Sequence, residues 1–368
     1  MTEQRPGNFL DARVSRRSML KAGALAAGAF TVPGLLSACG TSGSDSAATT
    51  GAASPTSTGP LTGEVKFLNL TDWIGPTTVK DFEAKNPGAK ITQIAEDFTS
   101  SSGPTSVVIQ NPSAYDMAFL DAAGLGQLGA AGLVQPYDTA AMANYSAILP
   151  VFQKAFEHGV PTDTGQVGIA YRKDKVSEPI ATWKDFWSVV PKYPGKTILV
   201  DYDRDVIGSA LIMLGYSSNS TSTDEINKAR DAVLAIKPSV QAFKVLDIAK
   251  SLLDGSAYLT MGYDFETAAA MEKNPNIAWV APPEGLVAYI EGWVAVKGTQ
   301  HMDVVQSFTD FQHSPAQYKA FIDALGVPNV QGLKQPEITN TVPQAQFIQY
   351  LGPDVTQVMS DAWNQIKA

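Results

Sequence analysis

The densest chemistry in this chain is Asp201-Tyr202-Asp203-Arg204-Asp205, three alternate carboxylates with a tyrosine and an arginine between them. The apolar run Thr197-Ile198-Leu199-Val200 just before it predicts a buried strand, and residues 209–214 predict the start of a helix. Charges at a strand-to-helix junction sit where open α/β sheets bind ligands, outside the carboxyl ends of the strands. The plainer alternative is a solvated acidic loop in which Arg204 pairs locally. Three more strand ends repeat the association of an aromatic with an acid: Asp72-Trp73, Tyr263-Asp264, and Tyr289 with Glu291. Asp121 adds a carboxylate without an aromatic. One strand-end aromatic is more often a lid on the core than a platform for a ligand. Four together, divided between two α/β segments joined by two crossovers, describe a cleft walled by aromatics and acids. Such a cleft suits ammonium groups. Carboxylates neutralise them and accept their N–H bonds, while aromatic faces hold methylenes and cations at about 0.5–2 kcal/mol per cation–π contact.

The elements that position these residues follow from periodicity and stop signals. Residues 64–70 predict the strand that ends at Asp72-Trp73. A helix then starts at Pro76, turns Val79, Phe82 and Ala84 inward, and stops at Asn86-Pro87-Gly88. Residues 89–94 and 115–120 read as strands, the second ending at Asp121, with a short helix over 125–131. A strand over 165–171 crosses to a second lobe. Thr182-Trp183-Lys184-Asp185-Phe186-Trp187 is a capped helix start with an aromatic face. Ser222 and Glu225 form a capping box before a helix whose inward face is Ile226, Ala229, Val233 and Ile236. Strands over 257–262 and 278–281 precede a returning crossover strand over 289–296. Helices over 302–311, 315–325 and 353–368 complete the chain. Strands alternating with helices predict an α/β fold with a parallel sheet.

The 368 residues allow two domains. The net charge is −9, and the first 38 residues hold five basic and two acidic side chains, so the remainder carries −12. An acidic body disfavours nucleic acid, which needs a basic face. Three histidines and one cysteine leave little for a transition-metal site or a histidine triad, and no cofactor is expected. Ser15-Arg16-Arg17-Ser18-Met19-Leu20-Lys21 is a twin-arginine pattern ahead of an apolar stretch over 22–38, too short and too rich in Ala and Gly to span a membrane. Leu36-Ser37-Ala38-Cys39-Gly40 looks like a lipobox, with cleavage before Cys39 and lipid on its sulfur. Residues 1–38 are thus expected to be a signal peptide. Residues 39–62, rich in Ser, Thr, Ala, Gly and Pro, are expected to be a flexible tether. The folded body then sits at the extracytoplasmic face of the membrane.

In this order the motifs resemble the spermidine/putrescine-binding lipoproteins of bacterial ABC importers. Matching segments are Asn69-Leu70-Thr71-Asp72-Trp73, Tyr115-Asp116-Met117, the helix start at Thr182, the acidic box with Leu214-Gly215-Tyr216-Ser217, Pro282-Pro283-Glu284-Gly285, and Tyr289-Ile290-Glu291. The resemblance implies a two-lobed periplasmic-binding-protein fold of type II, each lobe a mostly parallel sheet flanked by helices, with hinge crossovers between them. One lobe is expected over 64–169 with 290–332, the other over 170–289 with 333–368. It further implies that Asp205 and Glu291 stand at amine-binding positions, Tyr263 and Tyr289 where tryptophans are usual, and Thr71 with Asp72 near one end of the ligand. Leu70, Asp121-Ala122-Ala123, Tyr202 and Val327 depart from the family pattern. They leave the solute open among a shorter diamine, a different cation and a non-polyamine.

The expected function is capture of a small cationic solute by a monomeric, lipid-anchored binding protein that closes like a hinge and meets permease subunits of an importer. Binding of an amino acid or another nitrogenous solute is the alternative. A secreted hydrolase using a carboxylate pair is a third reading, opposed by the lack of a Gly-x-Ser-x-Gly elbow or a glycine-rich phosphate loop. A cleft for a protein partner is the fourth.

Overall fold

A computed structural model describes residues 59–95 and 103–368. The twin-arginine pattern, Cys39 and all of the tether before residue 59 lie outside the described residues. The strands are β1 (Gly63–Asn69), β2 (Ala89–Ala95), β3 (Met117–Asp121), β4 (Val134–Gln135), β5 (Val160–Arg172), β6 (Thr197–Val200), β7 (Val240–Lys244), β8 (Leu259–Tyr263), β9 (Ile277–Val280), β10 (Leu286–Val296) and β11 (Ala345–Phe347).

They run in the order β2-β1-β3-β10-β5-β8-β6-β7, with β4 and β11 on β10 and β9 on β5. β1 is parallel to β2 and β3, and β6 is parallel to β7 and β8. The two halves are therefore built alike. Each has three parallel strands whose order reverses at β1/β3 or β6/β8, and each meets a long antiparallel strand, β10 or β5. The crevice beyond such a reversal is where α/β sheets bind ligands. Here two of them open toward one central pair.

That pair, β5 and β10, serves both halves. β10 pairs with β3 through residues 291–295 and with β5 through residues 287–293, and β5 pairs with β8 through residues 167–171. A third segment crosses nearby, since Asp163 bridges Asn329 and Thr164 N–H donates to the Pro328 carbonyl. β5 is buried from Val160 to Ala170, as a strand covered on both faces must be. Its polar residues are bonded accordingly. Thr164 Oγ1 donates to the Tyr289 carbonyl at 2.7 Å, and Gln166 Nε2 donates to the carbonyls of Ile338 and Asn340. The register shifts between Glu291 and Gly292. A Cβ at Gly292 would lie 2.4 Å from the Val160 carbonyl oxygen, so the shift requires glycine.

Around the sheet, Trp183 is fully buried and donates from Nε1 to the Gly285 carbonyl at 2.8 Å, pinning its helix (Trp183–Val189) to the start of β10. Phe67, Phe82, Trp293 and Phe308 form the aromatic core of the first half. The face Ile226, Ala229, Val233 and Ile236 is buried as periodicity predicts. Other expectations shift. The helix expected from Ser209 begins at Asp203, so the acidic box is its first turn (Asp203–Met213), where carboxylates complement the positive end of the helix dipole. The helix expected at 125–131 begins at Ala122 because Asp121 caps it. Ala84 is exposed. Ser222 Oγ accepts from Glu225 N–H, but Glu225 takes a bond from Ser220 Oγ, so only half of the box forms. β7 was not anticipated: it is a half-exposed edge strand without clean alternation.

Candidate functional site: a carboxylate row facing a tyrosine ladder

The register of the central strands sets the site. Glu291 on β10 lies opposite Asp121 on β3 and opposite Asp163 on β5. Opposed Cα atoms on antiparallel strands are about 4.5–5.5 Å apart and their side chains share a face. Three carboxylates therefore stand in a row across three strands. Tyr289, two residues before Glu291, lies opposite Gly165 in the same way.

Asp163 is fully buried. Its Oδ2 accepts from Trp73 Nε1 at 3.3 Å and from Thr162 Oγ1 at 3.0 Å, whereas its Oδ1 has no donor among the described residues. Burial pushes this carboxyl up to about 7, with the contact of Glu291 and the hydrogen bonds from Thr162 and Trp73 pulling back. Glu291 is driven well above the usual range by burial and then by the charge and contact of Asp163. Two carboxyl groups in contact cannot both ionise without strong repulsion. Asp121 accepts from Gly124 N–H at 2.6 Å as helix cap. Burial raises it to about 6, against the pull of that N–H and of the Arg204 guanidinium.

The other wall is the first turn of the helix Asp203–Met213. Asp205 is buried and accepts from Tyr263 Oη at 3.4 Å. Burial, and then the neighbouring Asp203 carboxylate, push it up to about 7. The Tyr263 ring stands edge-on to Tyr289 at 5.8 Å and stacks on Phe265 at 5.7 Å. The Tyr202 phenol is held above its usual range by burial and by the charges of Glu291, Asp205 and Asp121, which come from both halves of the sheet. Arg204 donates to the Gln349 carbonyl and to Asn219 Oδ1, and its buried Nε has no acceptor. Asp201 is turned away and pairs with Lys367 at 2.7 Å.

Of the residues anticipated from sequence, Asp121, Tyr202, Asp205, Tyr263, Tyr289 and Glu291 are brought together. Trp73 is buried, packs on Phe119 and reaches Asp163. Thr71 and Asp72 lie exposed in the turn after β1, where Asp72 takes a left-handed φ of 60°. Asp264 is wholly buried at the start of the helix Asp264–Lys273, with Oδ1 accepting from Phe265 N–H and Oδ2 without a donor. Asp163 escapes sequence reasoning. Pro161-Thr162-Asp163-Thr164-Gly165 is made of turn-forming residues, and only an aspartate in the middle of a long strand would have marked it. Glu266 is also buried but is structural, since it accepts from the N–H groups of Asp247, Ile248 and Ala249.

The chemistry this supports is cation capture. Five carboxylates (Asp121, Asp163, Asp203, Asp205, Glu291) surround three tyrosines, with Arg204 among them. Among the described residues no group of three or more His, Cys, Asp or Glu could hold a metal ion. A cavity of about 340 Å³ between the helices Thr78–Lys85 and Met302–Gln312 shares no residue with this cluster. One local prediction follows from Gly165. A Cβ there would lie 2.1 Å from Tyr289 Oη, at the far end of a side chain that can swing aside. Gly165→Ala is expected to leave the protein folded by circular dichroism and to weaken solute binding about tenfold, the size of a lost ring contact. Unchanged affinity would remove Tyr289 from the binding surface.

Comparison with known proteins shows the family. The family described as bacterial extracellular solute-binding protein matches residues 77–339. The spermidine/putrescine-binding periplasmic protein of Escherichia coli strain K12 is 24% identical over 307 residues, 81% of this chain and 85% of that one. The putrescine/cadaverine-binding protein of Pseudomonas aeruginosa is 24% identical over 306 residues, 79% of this chain and 85% of that one. The structure of the TpPotD lipoprotein of Treponema pallidum superposes with a TM-score of 0.72 at 19% identity, covering 83% of this chain and 99% of that one. That structural likeness shows a shared two-lobed α/β fold.

Proposed function

The chain belongs to the bacterial extracellular solute-binding proteins, a family of binding proteins rather than enzymes, and from that premise we propose that it captures a small organic cation with primary ammonium groups. The observation that carries the reading is the carboxylate row on β3, β10 and β5 facing Asp205 and the tyrosines. A short aliphatic polyamine fits this chemistry, with ammonium groups on the acids and methylenes along Tyr263 and Tyr289. The spermidine/putrescine- and putrescine/cadaverine-binding relatives support that choice. Binding proceeds by closure of the two halves about β5, β10 and the segment near Asn329, and ligand favours closure through contacts made only when both walls meet it. The protein then delivers its solute to the permease subunits of an ABC importer. It acts as a monomer held to the extracytoplasmic face of the cell membrane by lipid on Cys39.

A second reading is favoured by one feature. The buried Arg204 Nε, without an acceptor, can receive a carboxylate, so a basic amino acid would place its carboxylate there and its side-chain ammonium on the acid row. A thermal-shift panel of diamines, triamines, basic, neutral and acidic amino acids and sugars separates the two. Stabilisation by the amines is the expected outcome. Stabilisation by basic amino acids alone would select the second reading, and stabilisation by sugars or anions alone would overturn both.

A further inference from the structure

We propose that Asp163, opposite Glu291 across the two central strands, forms with it the subsite for one primary ammonium group, the cation taking the place of a proton that the two carboxyl groups otherwise share. This rests on the cation reading and goes beyond it, because it names the pair that receives one end of the ligand and what leaves when it docks.

The geometry has three parts. The two residues are opposed in register, so their side chains meet on one face of the sheet. Asp163 is fixed, since its Oδ2 is held by Trp73 Nε1 and Thr162 Oγ1 and its backbone bridges Asn329. Its Oδ1 is buried and has no donor, although a carboxylate oxygen in such a place needs one. Glu291 is the carboxyl in contact with it. Two acceptors in contact need a proton between them or a donor beside both. An ammonium group is such a donor, with three N–H bonds to give. The groups facing the pair are Asp121 on β3, Asp205 on the helix Asp203–Met213 with Tyr202 just before it, Tyr263 on β8, Tyr289 on β10 and Tyr318 on the helix Pro315–Leu325. None of these is a cation, so among the described residues no group facing the pair takes the ammonium's place. Burial raises both carboxyls, Asp163 to about 7, so the pair resists holding two negative charges. Docking of R–NH3+ forms N–H···O bonds to both carboxylates and releases that proton to solvent. No covalent bond changes.

Calorimetric titration of the protein with 1,4-diaminobutane, in two buffers of different ionisation enthalpy, reads this directly. The wild type is expected to release the pair's proton on binding, in addition to the share that Asp205 gives up, and its affinity to rise with pH up to neutrality. Asp163→Asn is expected to bind more weakly, to release about one proton fewer than the wild type and to keep only the pH dependence that Asp205 contributes, while Asp163→Glu restores part of the difference. A role confined to packing would lower affinity without moving the proton count. Infrared difference spectra of the wild type give a reading that needs no variant: the band of a protonated carboxyl is expected to disappear when the diamine is added. Binding without proton release, or an unchanged band, would overturn the subsite and leave the cation reading standing. No binding of any amine would overturn both.

Discussion

Asp205→Asn and Glu291→Gln are each expected to weaken diamine binding by more than tenfold. Removing one partner of a buried charged hydrogen bond costs roughly 2–5 kcal/mol. Part of that is offset here, because a carboxyl pushed up to about 7 must first lose its proton to meet the cation. The effect belongs to binding and not to the fold. Asp205 is an acid whose charge the unliganded protein resists, so an amide of the same shape removes a disfavoured charge at neutral pH. Its one direct partner, Tyr263 Oη at 3.4 Å, can donate equally well to an amide oxygen. Folding is therefore expected to be unchanged or slightly stronger in the variant, while affinity falls. Titration of each variant beside its melting curve checks both halves. Unchanged affinity in both variants would remove the acids from the site, and loss of affinity together with loss of the fold would make them structural.

The second large effect is a stability that declines as pH rises. Asp121 is raised to about 6, and Asp163, Asp205 and Glu266 to about 7, burial being the largest cause for each. Their ordinary values are 3.8 for aspartate and 4.5 for glutamate. Between those values and about 7 the folded chain holds protons that the unfolded chain has released. Stability then falls as pH increases through that window. The melting temperature without ligand is expected to be lower at pH 8 than at pH 5 by about 5 °C, the shift that a few kcal/mol produces in a chain of this size. Lowered carboxyls such as Glu178 at about 2 titrate below this window; His313, whose imidazole burial holds below its usual range, works against the trend up to its ordinary 6.5, one group against four. Saturating diamine should flatten the dependence, because it supplies the counter-charges that the acids lack. A melting temperature that climbs from pH 5 to pH 8 would contradict the burial of these carboxyls.

Much of this site is legible in sequence, for a definable reason. Carboxylates and aromatics at the ends of apolar runs mark the carboxyl ends of strands, and an α/β chain gathers those ends at its crevices. The acidic box at 201–205 and the pair Tyr289 and Glu291 were visible that way, the latter because residues two apart in a strand share a face. What sequence could not show is which neighbour each strand acquires. Asp163 becomes a site residue only because β5 pairs with β10 in a register that sets it against Glu291. Its local sequence reads as a turn, and tertiary pairing overrides that reading. Asp121 was visible as an acid, but its second role as a helix cap depends on where the helix after β3 begins. Asp203 and Asp205 looked like loop residues because the helix was expected six residues late, and the stabilisation of acids at a helix N-terminus decides otherwise. Asp264 matched the pattern of an acid at a strand end; its Oδ1 is taken by the Phe265 N–H at its own helix start, while its charge acts on the Tyr289 phenol.

The central claim is that charge recognition, and not shape alone, selects the solute. Calorimetric titration of the protein with 1,4-diaminobutane against 1,4-butanediol tests it most directly, since the two differ mainly in their charged ends. The account predicts micromolar or tighter binding of the diamine and no detectable binding of the diol. Equal binding of both, or binding of neither by a folded protein that takes up a neutral or anionic solute instead, would contradict it.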